Sequence, residues 1–345
     1  MTNQHEITKR MPLLNREGNL TEPGWARGLL WDYHRPDIRA SGMRIKEWDY
    51  YFVSNGHIGL ALTIADNGYM GLDSVSYLDF DEKWEITKSP MRLLPMGKTA
   101  LPETSAAGSS EIARGGYALA FYHDDDGTRK LTFHMDKFRG KDAIEGMISL
   151  SDEPAESMVI ATPFEKSGHF YYNQKINCMR AAGWIELGGA RVELDPKTWF
   201  AVLDWGRGVW TYHNTWYWGS ASGELDGVPF GWNIGYGFGD TSAASENVLF
   251  YGGKIHKLSQ VRFEIPMQDG EENYLAPWRF SSDDGRFEMA FAPILNRAAY
   301  TSVGVIKSDQ NQVFGRFTGT AALDDGTVLQ VNDFFGFAEK VENKW

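Results

Sequence analysis

Between His169 and Gly219 the chain sets ionisable side chains among large aromatics. Lys175, Asp204, Arg207 and His213 stand there with Tyr171, Tyr172, Tyr212 and Tyr217. Six of the thirteen tryptophans fall in the same stretch: Trp184, Trp199, Trp205, Trp210, Trp216 and Trp218. Aromatics offer apolar contact area and a few polar groups fix orientation or move protons, as a concave, water-poor site requires. Asp204 lies in AVLDWGRGVW, with apolar residues before it and Trp205 after it. A carboxylate so placed is either paired or has a raised pKa, and raised-pKa carboxyls are the usual general acids. Arg207 is near enough in sequence to be its partner. His213 has the chemistry of an acid or base near neutral pH. The same residues also fit an aromatic sheet core whose polar groups are simply satisfied.

Strand alternation limits which of these side chains can meet. Residues two apart share a face, so Tyr172 pairs with Gln174 and points away from Tyr171 and Asn173. Lys175 then joins Tyr172 only at a bulge or a strand end. With that proviso, Asp204, His213, Tyr172, Lys175 and Tyr212 are the candidate catalytic residues. Trp48, Tyr50, Trp205, Arg207, Trp210, Trp216 and Trp218 are the candidate substrate contacts.

The elements that would position them read as an antiparallel meander. Asn-Gly at 55–56 and 67–68, and Asp-Gly at 126–127, 226–227, 269–270, 284–285 and 325–326, sit between alternating segments. Such pairs are strong hairpin signals, because both central turn residues need positive φ. LALTIAD, ALAFYH, KLTFHM, ARVEL, FEMAFAP and VLQV are the clearest strands, and no segment keeps a helical period for long. Residues 97–116 are small, polar and Gly-rich and read as a surface loop, as do residues 239–247. The length of 345 residues suggests about two units. The division adopted is an irregular lead-in over 1–30, a first unit over 31–175 and a second over 176–345.

Composition narrows the function. A formal charge of −12 argues against nucleic acid, which needs a concentrated basic surface. Cys178 is the lone cysteine, so neither an internal disulfide nor a cysteine zinc site can form. The histidines show no metal spacing, and no phosphate loop precedes a helix. The opening MTNQHEITKRMPLL lacks a long apolar run, and no stretch approaches the ~20 apolar residues of a transmembrane helix. These features predict a cytoplasmic protein with no transmembrane segment and no bound cofactor or metal.

Several of the same residues resemble a known superfamily. Glu47-Trp48-Asp49-Tyr50-Tyr51-Phe52 is similar to the EWWYF-type opening of the lipocalin-like carotenoid hydratase and tocopherol cyclase superfamily. Tyr171-Tyr172, Lys175, Gly183, Gly188-Gly189 and Asp204 resemble its YYS…G…G…WxDxEWG segment. Trp216-Tyr217-Trp218 with Asp226-Gly227 resembles WxWF…DG. More closely, the whole chain resembles the family called domain of unknown function 2804, through GWA (24–26), RIKEWDYY (44–51), FYYNQKIN (170–177) and LDWGRGVW (203–210). The resemblance implies an all-β fold of two lipocalin-like antiparallel barrels packed together, with an apolar cavity. It also implies proton-driven chemistry, hydration of a double bond or ring closure, without metal or redox cofactor. Two departures stand out: Asp49 replaces the second tryptophan of the opening motif, and LDWGRGVW lacks the acidic residue after its aspartate, with Arg207 nearby instead.

Three functions follow. The first is a cofactor-independent hydratase, isomerase or cyclase in which Asp204 protonates a small apolar or aromatic molecule. Trp205, Trp216 and Trp218 would stabilise the resulting cation through their ring faces. The second is a lipocalin-type carrier with the same cavity and no turnover. The third, suggested only by acidity and tryptophan content, is carbohydrate handling.

Overall fold

The computed structural model describes residues 4–124, 126–303 and 306–344. Alternating side chains and tight turns build two large antiparallel sheets, and the helical content described is two short 3-10 turns, Arg35–Asp37 and Gly42–Arg44. The seven Asn-Gly and Asp-Gly pairs all fall between strands, and every glycine among them has positive φ. At 226–227 and 269–270 the aspartate does too, at 51° and 53°, as the tightest hairpins require.

The first sheet runs, in spatial order, Trp84–Lys88, Met70–Asp79, Ile58–Asp66, Ile45–Ser54, Phe200–Val209, Phe170–Leu187, Asp142–Ser151, Arg129–Arg139, Tyr117–His123 and Gly108–Arg114. It curls until its two ends meet through side chains. Tyr117 Oη donates to Asp73 Oδ2 at 2.9 Å, and the Ser110 hydroxyl donates to Asp49. No ladder joins Trp84–Lys88 to Gly108–Arg114 among the described residues, so the barrel-like curl is closed there by side chains alone.

The second sheet runs Lys254–Lys257, Val248–Tyr251, Val228–Tyr236, His213–Leu225, Val328–Lys344, Ile306–Ala322, Phe287–Val303, Trp278–Ser282 and Val261–Glu264. Its ends are likewise not paired among the described residues. Phe170–Leu187 and Phe200–Val209 belong to the first sheet. The chain therefore passes from the first sheet to the second at residues 210–212.

The interior of the first sheet is a packed core that takes in Tyr33, Leu62, Phe121, Tyr172 and Trp205. Buried within it is a polar cluster centred on Arg207. The Arg207 guanidinium reaches Asp49 Oδ1 at 2.9 Å, the carbonyls of Trp48 and Pro102 at 2.9 and 2.8 Å, and Glu47 at 3.8 Å. The segment over 97–116 is only in part a surface loop: Gly108–Arg114 is a strand, and three of the segment's otherwise largely exposed residues turn inward. It plugs this interior, with Leu101, Ser105 and Ser110 buried and the Ser105 carbonyl accepting from Arg129 Nη1 at 2.7 Å. Residues 239–247 likewise carry buried Ala244, Ser245 and Asn247.

The outer face of the first sheet packs on the second. Asn177 Nδ2 bridges them, donating to Ser220 Oγ at 2.8 Å and to the carbonyls of Ala221 and Trp232. Between the sheets lies a cavity of about 280 Å³.

Removing one member of a buried charge cluster leaves the others uncompensated. Arg207→Met is expected to cost about 3–5 kcal/mol of stability in urea unfolding. Adding Asp49→Asn to that variant should cost less than the sum of the single changes, because the two residues are coupled.

Candidate active site

Two transverse rows of side chains face each other across the cavity. On the first sheet, cross-strand pairing aligns Lys175, Asp204, Tyr50, Thr63 and Ser74 on successive strands. On the second, it aligns Trp218, Glu339, Gln312 and Arg297. All nine line the cavity. Directly opposed residues point to one face, so the ladders alone explain why residues far apart in sequence converge. The rows touch at one end, where Lys175 Nζ sits 4.0 Å from the Trp218 ring centroid; at the other, Arg297 Nη1 donates at 2.8 Å to Ser76 Oγ, two residues along the strand from Ser74.

At the first end the charges are matched. Lys175 Nζ lies 2.8 Å from Asp204 Oδ1, and Asn173 Nδ2 donates to the same oxygen at 2.6 Å. Beside them is an aromatic box. Trp48 meets Trp210 edge-on at 5.2 Å and stacks near Tyr171 at 6.2 Å, while Phe238 packs edge-on against Tyr171, Trp210 and Trp216. The Trp48 ring lies flat on Gly206, where an added Cβ would come within 1.9 Å of it. The glycine after Trp205 is therefore what lets the indole enter the cavity.

Two carboxyls here carried no signal in the sequence reading. Glu339 Oε1 accepts from Trp216 Nε1 at 2.9 Å and Oε2 from Gln312 Nε2 at 3.0 Å. Burial pushes its carboxyl up to about 7, helped by the charge of Asp204 and opposed by the Trp216 hydrogen bond and by Arg297 and Lys175. Glu246 also lines the cavity, and burial raises its pKa with a further push from Asp204 against Lys175. Glu339 shares its strand face with Phe337 and Val341 in FFGFAEKV, and those apolar neighbours were the available clue. Glu246 lies in the segment taken for a surface loop.

Of the candidate residues, the cavity gathers Asp204, Lys175, Trp48, Tyr50, Trp210, Trp216 and Trp218. It does not gather Tyr172, Trp205 or Arg207, which point into the first sheet's core. Alternation separates them from Lys175 and Asp204, and Tyr172 packs edge-on against Trp205 at 5.5 Å. Tyr172 Oη donates instead to the Trp31 carbonyl at 3.1 Å. The strand does bulge, but between Ile176 and Met179, beyond Lys175. Arg207 is thus bonded to Asp49 and not to Asp204. His213 and Tyr212 are exposed at the start of the second sheet and do not line the cavity. Among the described residues, no three His, Cys, Asp or Glu side chains are grouped to hold a metal ion.

The fold and slot define a lipocalin-like all-β protein with an apolar cavity between its sheets. Residues 4–345 match the family described as domain of unknown function (DUF2804), and the chain belongs to it. Among solved structures it is similar to a presumed AttH of Nitrosomonas europaea, with 13% identity and a TM-score of 0.53 over 87% of this chain and 92% of that one. It also aligns with kievitone hydratase of Nectria haematococca, at 9% identity and a TM-score of 0.49 over 97% and 98% of the two chains. None of the curated proteins matches it. No helix among the described residues is long and apolar enough to cross a membrane.

The Glu339 pKa carries a stability consequence. Because it is raised on folding, the folded chain holds that proton more tightly than the unfolded one. The contribution is full below the ordinary carboxyl value and is lost as pH rises through about 7. Urea unfolding from about pH 5 to about pH 8 should show stability falling less steeply in Glu339→Gln than in the wild type. Parallel slopes would contradict the raised pKa. Gly206→Ala, measured the same way, should destabilise by about 1–3 kcal/mol through displacement of Trp48.

Proposed function

We propose that the protein is an acid–base enzyme of the hydratase, isomerase or cyclase type, acting on a small apolar or aromatic molecule without a cofactor. One observation carries this reading: a carboxyl with its pKa raised to about 7, Glu339, lines an apolar cavity beside tryptophan rings and an ion-paired carboxylate. A general acid works best when its pKa lies near the operating pH. A carrier has no need of a perturbed ionisable group facing its ligand.

In this mechanism Glu339, rather than Asp204, gives up the proton. Its O–H bond breaks as the π pair of a substrate double bond takes the hydrogen, leaving a cation on the neighbouring carbon. The faces of Trp216 and Trp218 lie beside that carbon and attract positive charge. Asp204, fixed by Lys175 and Asn173, then accepts a proton from attacking water in a hydration. In an isomerisation or cyclisation it takes the proton from an adjacent C–H instead. Return of that proton to Glu339 closes the cycle with no net change in the enzyme. The aromatic box keeps bulk water from the cation and favours the apolar end of the substrate.

The test is to incubate the protein in deuterium oxide with styrenes, allylbenzenes and prenylated phenols and to follow carbon-bound deuterium by NMR. Incorporation by the wild type is expected, with a loss of roughly a hundredfold or more in Glu339→Gln and in Asp204→Asn. Activity should decline as pH rises above about 7, where the acid form of Glu339 is lost. Binding of such molecules without incorporation would favour the carrier. Full activity in Glu339→Gln would remove the acid role.

A further inference from the structure

The far end of the slot differs from the reactive end. Its floor is a strip of hydroxyls: Ser74 Oγ bonds Ser89 Oγ at 3.0 Å, and Ser76 Oγ lies 2.9 Å from Thr87 Oγ1, which accepts from it. Over this strip Arg297 reaches from the second sheet, held by its 2.8 Å bond to Ser76. The other charged groups lining the cavity are accounted for locally or lie toward the other end. Lys175 has Asp204, Glu85 accepts from Thr87 Oγ1 at 2.8 Å, and Glu339 accepts from Trp216 and Gln312. Arg297 has no carboxylate within ion-pair distance among the described residues. A guanidinium held over an apolar slot without a counter-ion is matched to an incoming anion, above all a carboxylate, whose two oxygens fit its fork of donors.

From these placements we infer that the ligand is an apolar acid whose carboxylate is taken by Arg297 while its hydrocarbon end lies in the aromatic box. Arg297 and Glu339 are two strands apart in one row. At ~4.8 Å per strand their backbones lie ~10 Å apart, so the substrate carries its anionic group several bonds from the carbon that is protonated. Arg297 is then a substrate-orienting residue, which fixes the double bond along the slot by holding the opposite end of the molecule. The inference relies on the acid–base reading only for which end reacts, and its test reads binding alone.

The probes are 5-phenylpentanoate and 5-phenylpentanol, compared by calorimetry and by quenching of tryptophan fluorescence. The wild type is expected to bind the acid about tenfold or more tighter than the alcohol, the scale of a charge-assisted hydrogen bond. Arg297→Gln should bring the two affinities together by weakening the acid and leaving the alcohol unchanged. Arg297→Lys should keep part of the preference, which guards against a fold defect. Glu339→Gln should keep all of it, so a failure of the catalytic reading leaves this result standing. A wild type that binds the acid no better than the alcohol, or not at all, would overturn the inference. So would a preference that survives in Arg297→Gln.

Discussion

The structure depends on how charge is held in the apolar contact between its two sheets. Lys175, Asp204 and Trp218 meet there, with the ammonium 2.8 Å from the carboxylate and 4.0 Å from the indole centroid. Removing ions from water costs several kcal/mol each unless partners replace the lost hydration. Here a carboxylate, an aromatic face and the Asn173 amide supply those partners from two sheets at once. The match is local. One strand further on, Glu339 has hydrogen-bond donors but no ion-pair partner among the described residues, and burial raises its pKa. The apolar interface that makes Lys175 and Asp204 pair thus also raises the pKa of a neighbouring carboxyl.

Strand alternation decides which residues share this environment. In EWDYY, Trp48 and Tyr50 face the cavity while Glu47 and Asp49 face the first sheet's core. In LDWGRG, Asp204 faces the cavity while Trp205 and Arg207 face the core. The two departures from the superfamily pattern then prove to be one feature. Asp49, standing where the opening motif has a tryptophan, bonds Arg207, which stands near the missing acidic residue. The exchange lies in the core, on the face away from Asp204, so it leaves the cavity-facing residues of both motifs in place.

Much of the fold was legible because turn chemistry is local. Asn-Gly and Asp-Gly mark hairpins whatever surrounds them, and alternation between them identifies strands. Sheet membership was not legible, because Phe170–Leu187 pairs with Phe200–Val209 on one side and with Asp142–Ser151 on the other, contacts that no local pattern encodes. The two sheets accordingly exchange sequence at residues 210–212, while the ends of each sheet are joined by no ladder among the described residues. Of the cavity's lining, Asp204, Trp48, Trp210, Trp216 and Trp218 were legible in the sequence, whereas Trp205 points into the first sheet's core. Lys175 looked misplaced because its partner was sought along its own strand, whereas Asp204 lies directly opposite on the next one. Glu339 and Glu246 escaped notice because a carboxylate is unusual only once its burial is known. His213 and Tyr212 were chosen for chemistry alone, and exposure removes them from the cavity.

The acid role rests on Glu339 holding its proton below about pH 7 in the folded protein. The most direct measurement is the infrared difference spectrum of wild type against Glu339→Gln at about pH 6, below its pKa of about 7. The wild type is expected to show a protonated-carboxyl C=O band that is absent in the variant and fades as pH is raised above about 7. A difference spectrum that shows only the bands of an ionised carboxylate at that pH would contradict it.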